Sequence, residues 1–272
     1  MAAAGKLAAP FLPCADWAII AEKSFAFFCQ IRGDSELTQA NIKVLATTAM
    51  KTVFEELSPA FERATGHRLD VTLGPSLRLE KQLGEGEPAD VAIVSAAGAG
   101  DLAAQGKLVP GSISEIAKSS IGIAVPKGAP RPDLSSVEGF KRAMLAAKSI
   151  ACSKPVGGGQ SGVHIAKVFA DLGIAEAMAA KAKYGAGGAA GLAGLVVLRG
   201  EADIGIQQMA ELMAVEGIDV VGPLPTEIQM ITPFVAAIPA NASHAAEGRA
   251  LIAFLTTPAA KAVIKAKGLD PA

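Results

Sequence analysis

The sequence predicts an α/β chain of two lobes, each a mainly parallel sheet flanked by helices. Three observations carry this. From Ile42 onward, short apolar runs alternate with longer amphipathic stretches. A break rich in turn formers, Lys127-Gly128-Ala129-Pro130-Arg131-Pro132, separates two such sets. The hydrophobic residues, 51% of the chain, are mostly Ala, Val, Ile and Leu, which suits layered helices and sheets better than an aromatic-lined carbohydrate cleft.

The elements follow in order. Ile42–Ala46 is a compact strand, and Met50–Thr65 has helical spacing at Val53, Leu57, Ala60 and Phe61, stopped by Gly66. His67–Leu73 alternates as a strand does, and Ser76 is the expected N-cap of a helix reaching Leu83. Asp90–Val94 is a buried strand, and a short helix ends near Gly106. After the strand Ser119–Pro126 and the break, the rhythm resumes with a helix at Val137–Ala147, a strand at Ser149–Ser153 and a helix at Gln160–Leu172 ended by Gly173. The stretch Gly185–Gly194 begins as a loop, Leu192–Arg199 is a helix, and Ile204–Gln207 and Val220–Val221 are short strands. Ile231–Ile238 is extended, and helices at Ala242–Leu255 and Pro258–Lys267 close the chain.

This order divides the chain into lobe 1 at 41–122 plus 227–272 and lobe 2 at 123–226. The crossings fall near 121–127 and 225–233, and a ligand sits between the lobes at the C-terminal ends of the strands. Residues 1–40 read as a leader or disordered segment: Lys6 stands alone at the front, and Asp16, Glu22 and Lys23 interrupt the apolar stretch. Those charges also break it as a membrane span.

Several function classes are excluded. The formal charge is −1 with no basic block, so a nucleic acid finds no electrostatic footprint. Cys14, Cys29 and Cys152 form no CxxC pair, so no metal site is expected. Cys152, in an apolar run, reads as a small buried hydrophobe. Gly157-Gly158-Gly159 lacks the spacing and the lysine of a nucleotide phosphate loop. No cofactor is expected.

Thr47, Thr48 and Ser76 stand where strands meet helix starts, and Ser161 and Gly162 open a helix of the second lobe. Helix starts carry unpaired N–H groups and a positive dipole end, so they bind anions without formal charge. For each hydroxyl the competing reading is ordinary capping; it is their joint placement that points to a site. Gln207 and Gln208, at the end of a strand, offer both donors and acceptors.

Four ordered segments carry a resemblance: Ile42 to Met50; Gly74-Pro75-Ser76 with Gly86-Glu87-Pro88-Ala89-Asp90-Val91; Pro155 to Lys167; and Gly200-Glu201-Ala202-Asp203 running to Gln208. Together they resemble the periplasmic substrate-binding proteins of the molybdate-binding type, from about Ile42 to Leu269. The resemblance implies the two-lobed periplasmic-binding-protein type II architecture and a periplasmic monomer. It also implies a small anionic ligand, an oxyanion such as molybdate or a small carboxylate, handed to the membrane subunits of an ABC transporter. The sequence departs from the molybdate binders where they carry tyrosines: here Ile206-Gln207-Gln208 and Gly162-Val163-His164 stand in those places.

The chain also resembles bacterial aconitate isomerase, of the same fold, through the Gly-Pro-Ser and Gln-Gln segments. An isomerase needs a base near an acidic carbon. His164 is the sequence's candidate, because an unperturbed His titrates near ~6.5. His67 and His244 read as surface residues, and Arg78 as a solvated one. No Ser-His-Asp arrangement is supported by spacing.

Overall fold

Strand β1, Asn41–Thr47, lies between β2 (Arg68–Gly74) and β3 (Val91–Ser95), parallel to both. Its Ile42, Val44, Leu45 and Ala46 are all buried, as a strand covered on both faces requires. Each crossover is a helix with one apolar stripe. In α1 (Lys51–Thr65) the buried residues are Val53, Phe54, Leu57 and Phe61, and Gly66, at φ 74°, ends it. Helix α2 (Ser76–Glu85) buries Leu79 and Leu83 and joins β2 to β3; α3 (Ala96–Ala104) follows β3.

The computed structural model describes residues 39–185 and 191–272. The leader reading of residues 1–40 falls outside them up to Thr38. Ala40 already belongs to the folded core, 7% exposed, with its N–H on His67 Nδ1 at 3.3 Å. That contact corrects the surface reading of His67, which is itself 7% exposed. His244 is half-buried before a helix.

Strand β4, Ser114–Pro126, organises the rest. It starts five residues before the expected Ser119, because Ser114–Lys118 pairs with β9 (Ile231–Ala237), with a register shift between Glu115 and Ala117, rather than looping free. The first part of β4, Ser114–Ser120, is antiparallel to β9, which also pairs with β3. The second part, from Ile121, pairs antiparallel with β7 (Ile204–Gln208) and β8 (Ile218–Pro223). Beyond β7 lie β5 (Ile150–Cys152) and β6 (Ala182–Tyr184), both parallel. The strand order is β2-β1-β3-β9-β4-β7-β5-β6, with β8 and a short β10 (Asp270–Pro271) paired to β4. Hydrogen bonding thus passes from one half to the other through β4, where two separate sheets were expected. Each half keeps a parallel trio and antiparallel strands return between them.

Helices complete both halves. In the second, α4 (Val137–Ala146) is capped by Ser136 Oγ, which accepts the Gly139 N–H at 3.1 Å. Its C-terminal carbonyls at Met144 and Leu145, and that of Ala147, receive the Lys181 ammonium at 2.7, 3.0 and 2.6 Å. Helices α5 (Gln160–Asp171), α6 (Ala175–Ala179) and α7 (Ala193–Leu198) pack against β5–β7; α6 and β6 were not expected from the sequence. Helices α9 (Ala245–Leu255) and α10 (Pro258–Ala266) return to the first half. Phe61, Phe234 and Ile252 belong to the apolar core of the first half; Phe140, Met144 and Ile206 belong to that of the second.

A short helix not expected from the sequence, α8 (Met209–Met213), bridges the two halves. It follows β7 directly, yet its Ala210 is buried in the core of the first half. Met209 packs over Gly122 of β4, and Met213 over Gly268 beside β10; a Cβ on either glycine would fall within 2.3 Å of the methionine sulfur. The two crossings are also joined. The Gln229 carboxamide accepts from the Ile121 N–H and donates to the Ile121 carbonyl, both at 2.9 Å, as a neighbouring strand would.

Candidate functional site

The chain turns at the ends of β1, β2, β5 and β7 surround one cavity of about 280 Å³. On one side, Thr47 and Thr48 end β1 and Ser76 begins α2; on the other, Ser161 lies in the first turn of α5. All four are buried. None acts as a cap. The expected N-cap Ser76 is instead the first helical residue, with Pro75 in the cap position, and neither α2 nor α5 has a side-chain cap. Thr47 precedes a 3₁₀ turn, Thr48–Met50, without capping it. Their hydroxyls are therefore free of the competing capping role, beside helix starts whose first N–H groups have no intrahelical acceptor.

Gln207 and Gln208 also line the cavity and are buried. Gln207 Oε1 accepts the Ala193 N–H at 2.6 Å, so this side chain fixes the start of α7. Gln208 Nε2 donates to Thr232 Oγ1 at 3.0 Å, and its Oε1 is the one buried side-chain polar atom without a partner among the described residues. The Thr232 hydroxyl can donate or accept, so the carboxamide can turn over and present either its oxygen or its NH₂ to a ligand.

Two of the expected residues lie outside this lining. Gly162 does not line the cavity; its N–H donates to the Gly159 carbonyl at 3.0 Å. Its glycine identity serves packing, since a Cβ would lie 2.4 Å from the Lys154 carbonyl and 2.7 Å from that of Ser153. His164 lies one helical turn past Ser161 and outside the cavity lining, with Nε2 2.8 Å from the carbonyl of Ile228. It pins α5 to the second crossing and faces no ligand space.

Three charged residues that sequence reasoning discounted or overlooked do line the cavity. Arg78 and Lys154 are exposed at its mouth, and Arg78 Nη2 donates to the Leu73 carbonyl at 3.2 Å. Glu211, in α8, is buried, and desolvation pushes its carboxyl up to about 7, while the Gln208 backbone N–H and the Gln207 side chain pull the other way. A signal for it existed: Glu211 is the single charged residue between Ile204 and Val215.

The rim carries a cross-cleft contact. Ser95 Oγ donates to Glu80 Oε1 at 2.6 Å and accepts from Gln160 Nε2 at 3.5 Å, linking α2 and β3 of one half to α5 of the other. Burial raises the Glu80 carboxyl above its usual range, and Gly98 leaves room for it, since a Cβ there would meet the carboxylate carbon at 2.0 Å. Cys152 is buried, as expected, and its thiol is pushed up to about 11 by burial.

No group of three or more metal-ligating side chains occurs among the described residues, and none of their helices is long and apolar enough to cross a membrane. Over 236 residues the chain is 34% identical to an aconitate isomerase from a Pseudomonas species, covering 85% of this chain and 87% of that one. Its fold is similar to the periplasmic molybdate-binding protein of Azotobacter vinelandii, with TM-score 0.70 and 23% identity over 84% of this chain and 98% of the other. It is also similar to the sulfate-binding protein SubI of Mycobacterium tuberculosis H37Rv, with TM-score 0.64 and 17% identity over 86% and 87%. The architecture is thus that of the type II periplasmic binding proteins. Residues 42–270, from the first core residue of β1 to the last strand, match one family model, and the chain belongs to the bacterial extracellular solute-binding proteins.

Proposed function

We propose that the protein captures a small polycarboxylate in this cleft. In this reading the halves act as lobes, 41–122 with 227–272 and 123–226, turning about the crossings held by Gln229. The observation that carries it is the cavity lining: uncapped hydroxyls and helix starts from both sides, with two cations, Arg78 and Lys154, at the mouth. The volume of about 280 Å³ leaves room for a small organic ligand. The carboxamides of Gln207 and Gln208 in the wall, with both donors and acceptors, suit a ligand with several functional groups better than a bare oxyanion. As a transport protein it would deliver this anion in the periplasm to the membrane subunits of an ABC importer, the role suggested by the family.

The test is a thermal-shift and calorimetric panel on the full chain, with aconitate and other di- and tricarboxylates against molybdate, tungstate and sulfate. A carboxylate ligand at a hundredfold excess over its dissociation constant adds about 2.7 kcal/mol of stability. Stabilisation by oxyanions and by no carboxylate would overturn the reading.

A second reading, isomerisation of bound aconitate, is favoured by the 34% identity to an aconitate isomerase and by a buried carboxyl in the cleft wall. It requires a group able to take a proton from carbon and return it.

A further inference from the structure

We propose that Glu211 is the proton-transfer group of this cleft, acting on a bound unsaturated tricarboxylate such as aconitate. The inference rests on the polycarboxylate reading above and assigns the chemistry of that site to a residue. A carboxyl in the wall of an anion receptor is unfavourable for affinity alone, since its ionised form repels the ligand. Here Glu211 lines the cavity, the residue is only 8% exposed, and its carboxyl forms no ion pair with any described residue.

What surrounds Glu211 favours exchange between its two forms. Burial favours the acid, whereas the Gln208 N–H and the Gln207 side chain favour the carboxylate, and its pKa of about 7 lets both forms coexist near neutrality. Its helix packs against both halves, through Ala210 in the first core and through Met209 and Met213 over Gly122 and Gly268. His164, the other titratable candidate, faces the Ile228 carbonyl outside the cavity.

The step balances without an oxidant or cofactor. The ionised Glu211 takes a proton from the methylene carbon, so a C–H bond breaks and an O–H bond forms. The electron pair spreads over the three-carbon unit and its carboxylates. The Glu211 acid then gives the proton to the other end of that unit; the double bond has moved and the carboxylate is restored. The ligand-side carboxamides and hydroxyls hold the carboxylates throughout.

The experiment incubates the full chain with cis- and trans-aconitate in D₂O and follows isomerisation and deuterium entry at carbon by NMR, with binding measured separately by calorimetry. We expect wild type to bind and exchange, Glu211→Gln to bind while exchange falls ~10²–10⁴-fold, and His164→Gln to keep its exchange. If Glu211→Gln fails to fold or bind, Glu211→Asp decides. Its carboxyl is withdrawn by one methylene, and a displacement of about 1 Å costs ~10²-fold in rate, so undiminished exchange there overturns the proposal. Wild type that binds aconitate without exchanging it overturns the proposal and leaves polycarboxylate capture standing. Exchange that survives in Glu211→Gln also overturns it. Failure of every polycarboxylate to bind removes the functional reading and this inference together.

Discussion

Replacing Glu211 with Gln is expected to alter stability in a pH-dependent way that exposes how the cleft holds this carboxyl. In the native protein the group is pushed up from 4.5 to about 7 by burial. Between those values the folded state keeps a proton that the unfolded chain has lost. The unfolded state then binds fewer protons, so stability falls as pH rises, by about 1.4 kcal/mol per pH unit. The favourable contribution is fully present below pH 4.5 and is lost as pH rises through about 7. Over this window the loss amounts to about 3 kcal/mol, a substantial fraction of a typical domain's stability. Glutamine has the same shape and no charge to desolvate, so the variant lacks this slope. The assay is urea unfolding of both proteins at intervals from pH 4.5 to 8.5, comparing differences, because Glu80 and the exposed carboxylates titrate alike in the two. The variant should gain stability over wild type as pH rises, with most of the gain in place by pH 8. Parallel stability curves would show that Glu211 ionises as a solvated carboxylate and would remove the basis for its role.

Ser76→Ala should leave stability within about 0.5 kcal/mol, since Ser76 caps no helix, while weakening the preferred carboxylate by about 1.5–3 kcal/mol in calorimetry; lost stability with unchanged affinity would mark it as structural. Gly162→Ala should destabilise the protein by about 1–3 kcal/mol in denaturant titration, because its Cβ would press on the Ser153 and Lys154 carbonyls; an unchanged midpoint would contradict that packing.

Much of this was legible from periodicity. The Val53-Leu57-Phe61 stripe and the strand Ile42–Ala46 follow from which faces must be buried, and the hydroxyls Thr47, Ser76 and Ser161 mark helix starts by their chemistry. The beginning of β4 was hidden because Ser114–Lys118 is half polar, and only pairing with β9, more than a hundred residues later, makes it a strand. Helix α8 follows Gln208 without a break, so nothing local separates it from β7. His164 and Gly162 illustrate a different limit. Spacing places residues around a helix, but which side meets ligand depends on its neighbours: three residues past Ser161 is about 4.5 Å along the axis, enough to leave the cavity. In the sequence Glu211 is marked only as a lone charge in an apolar run, and what gives that charge significance, its burial, comes from the fold.

The wedged position of α8 separates two tasks that a cleft could otherwise confound. Thr47, Thr48 and Ser76 lie on one side of the cavity and Ser161 on the other, so closure of the halves, as proposed, would change the spacing among them. Glu211 lies on a helix packed against Gly122, Gly268 and the Thr48–Met50 turn, in contact with both halves. On the proposed reading, exchanging those hydroxyls would retune which anion fits, and replacing the acid would silence proton transfer while binding is kept. On that reading, receptor and catalyst would differ at one buried position.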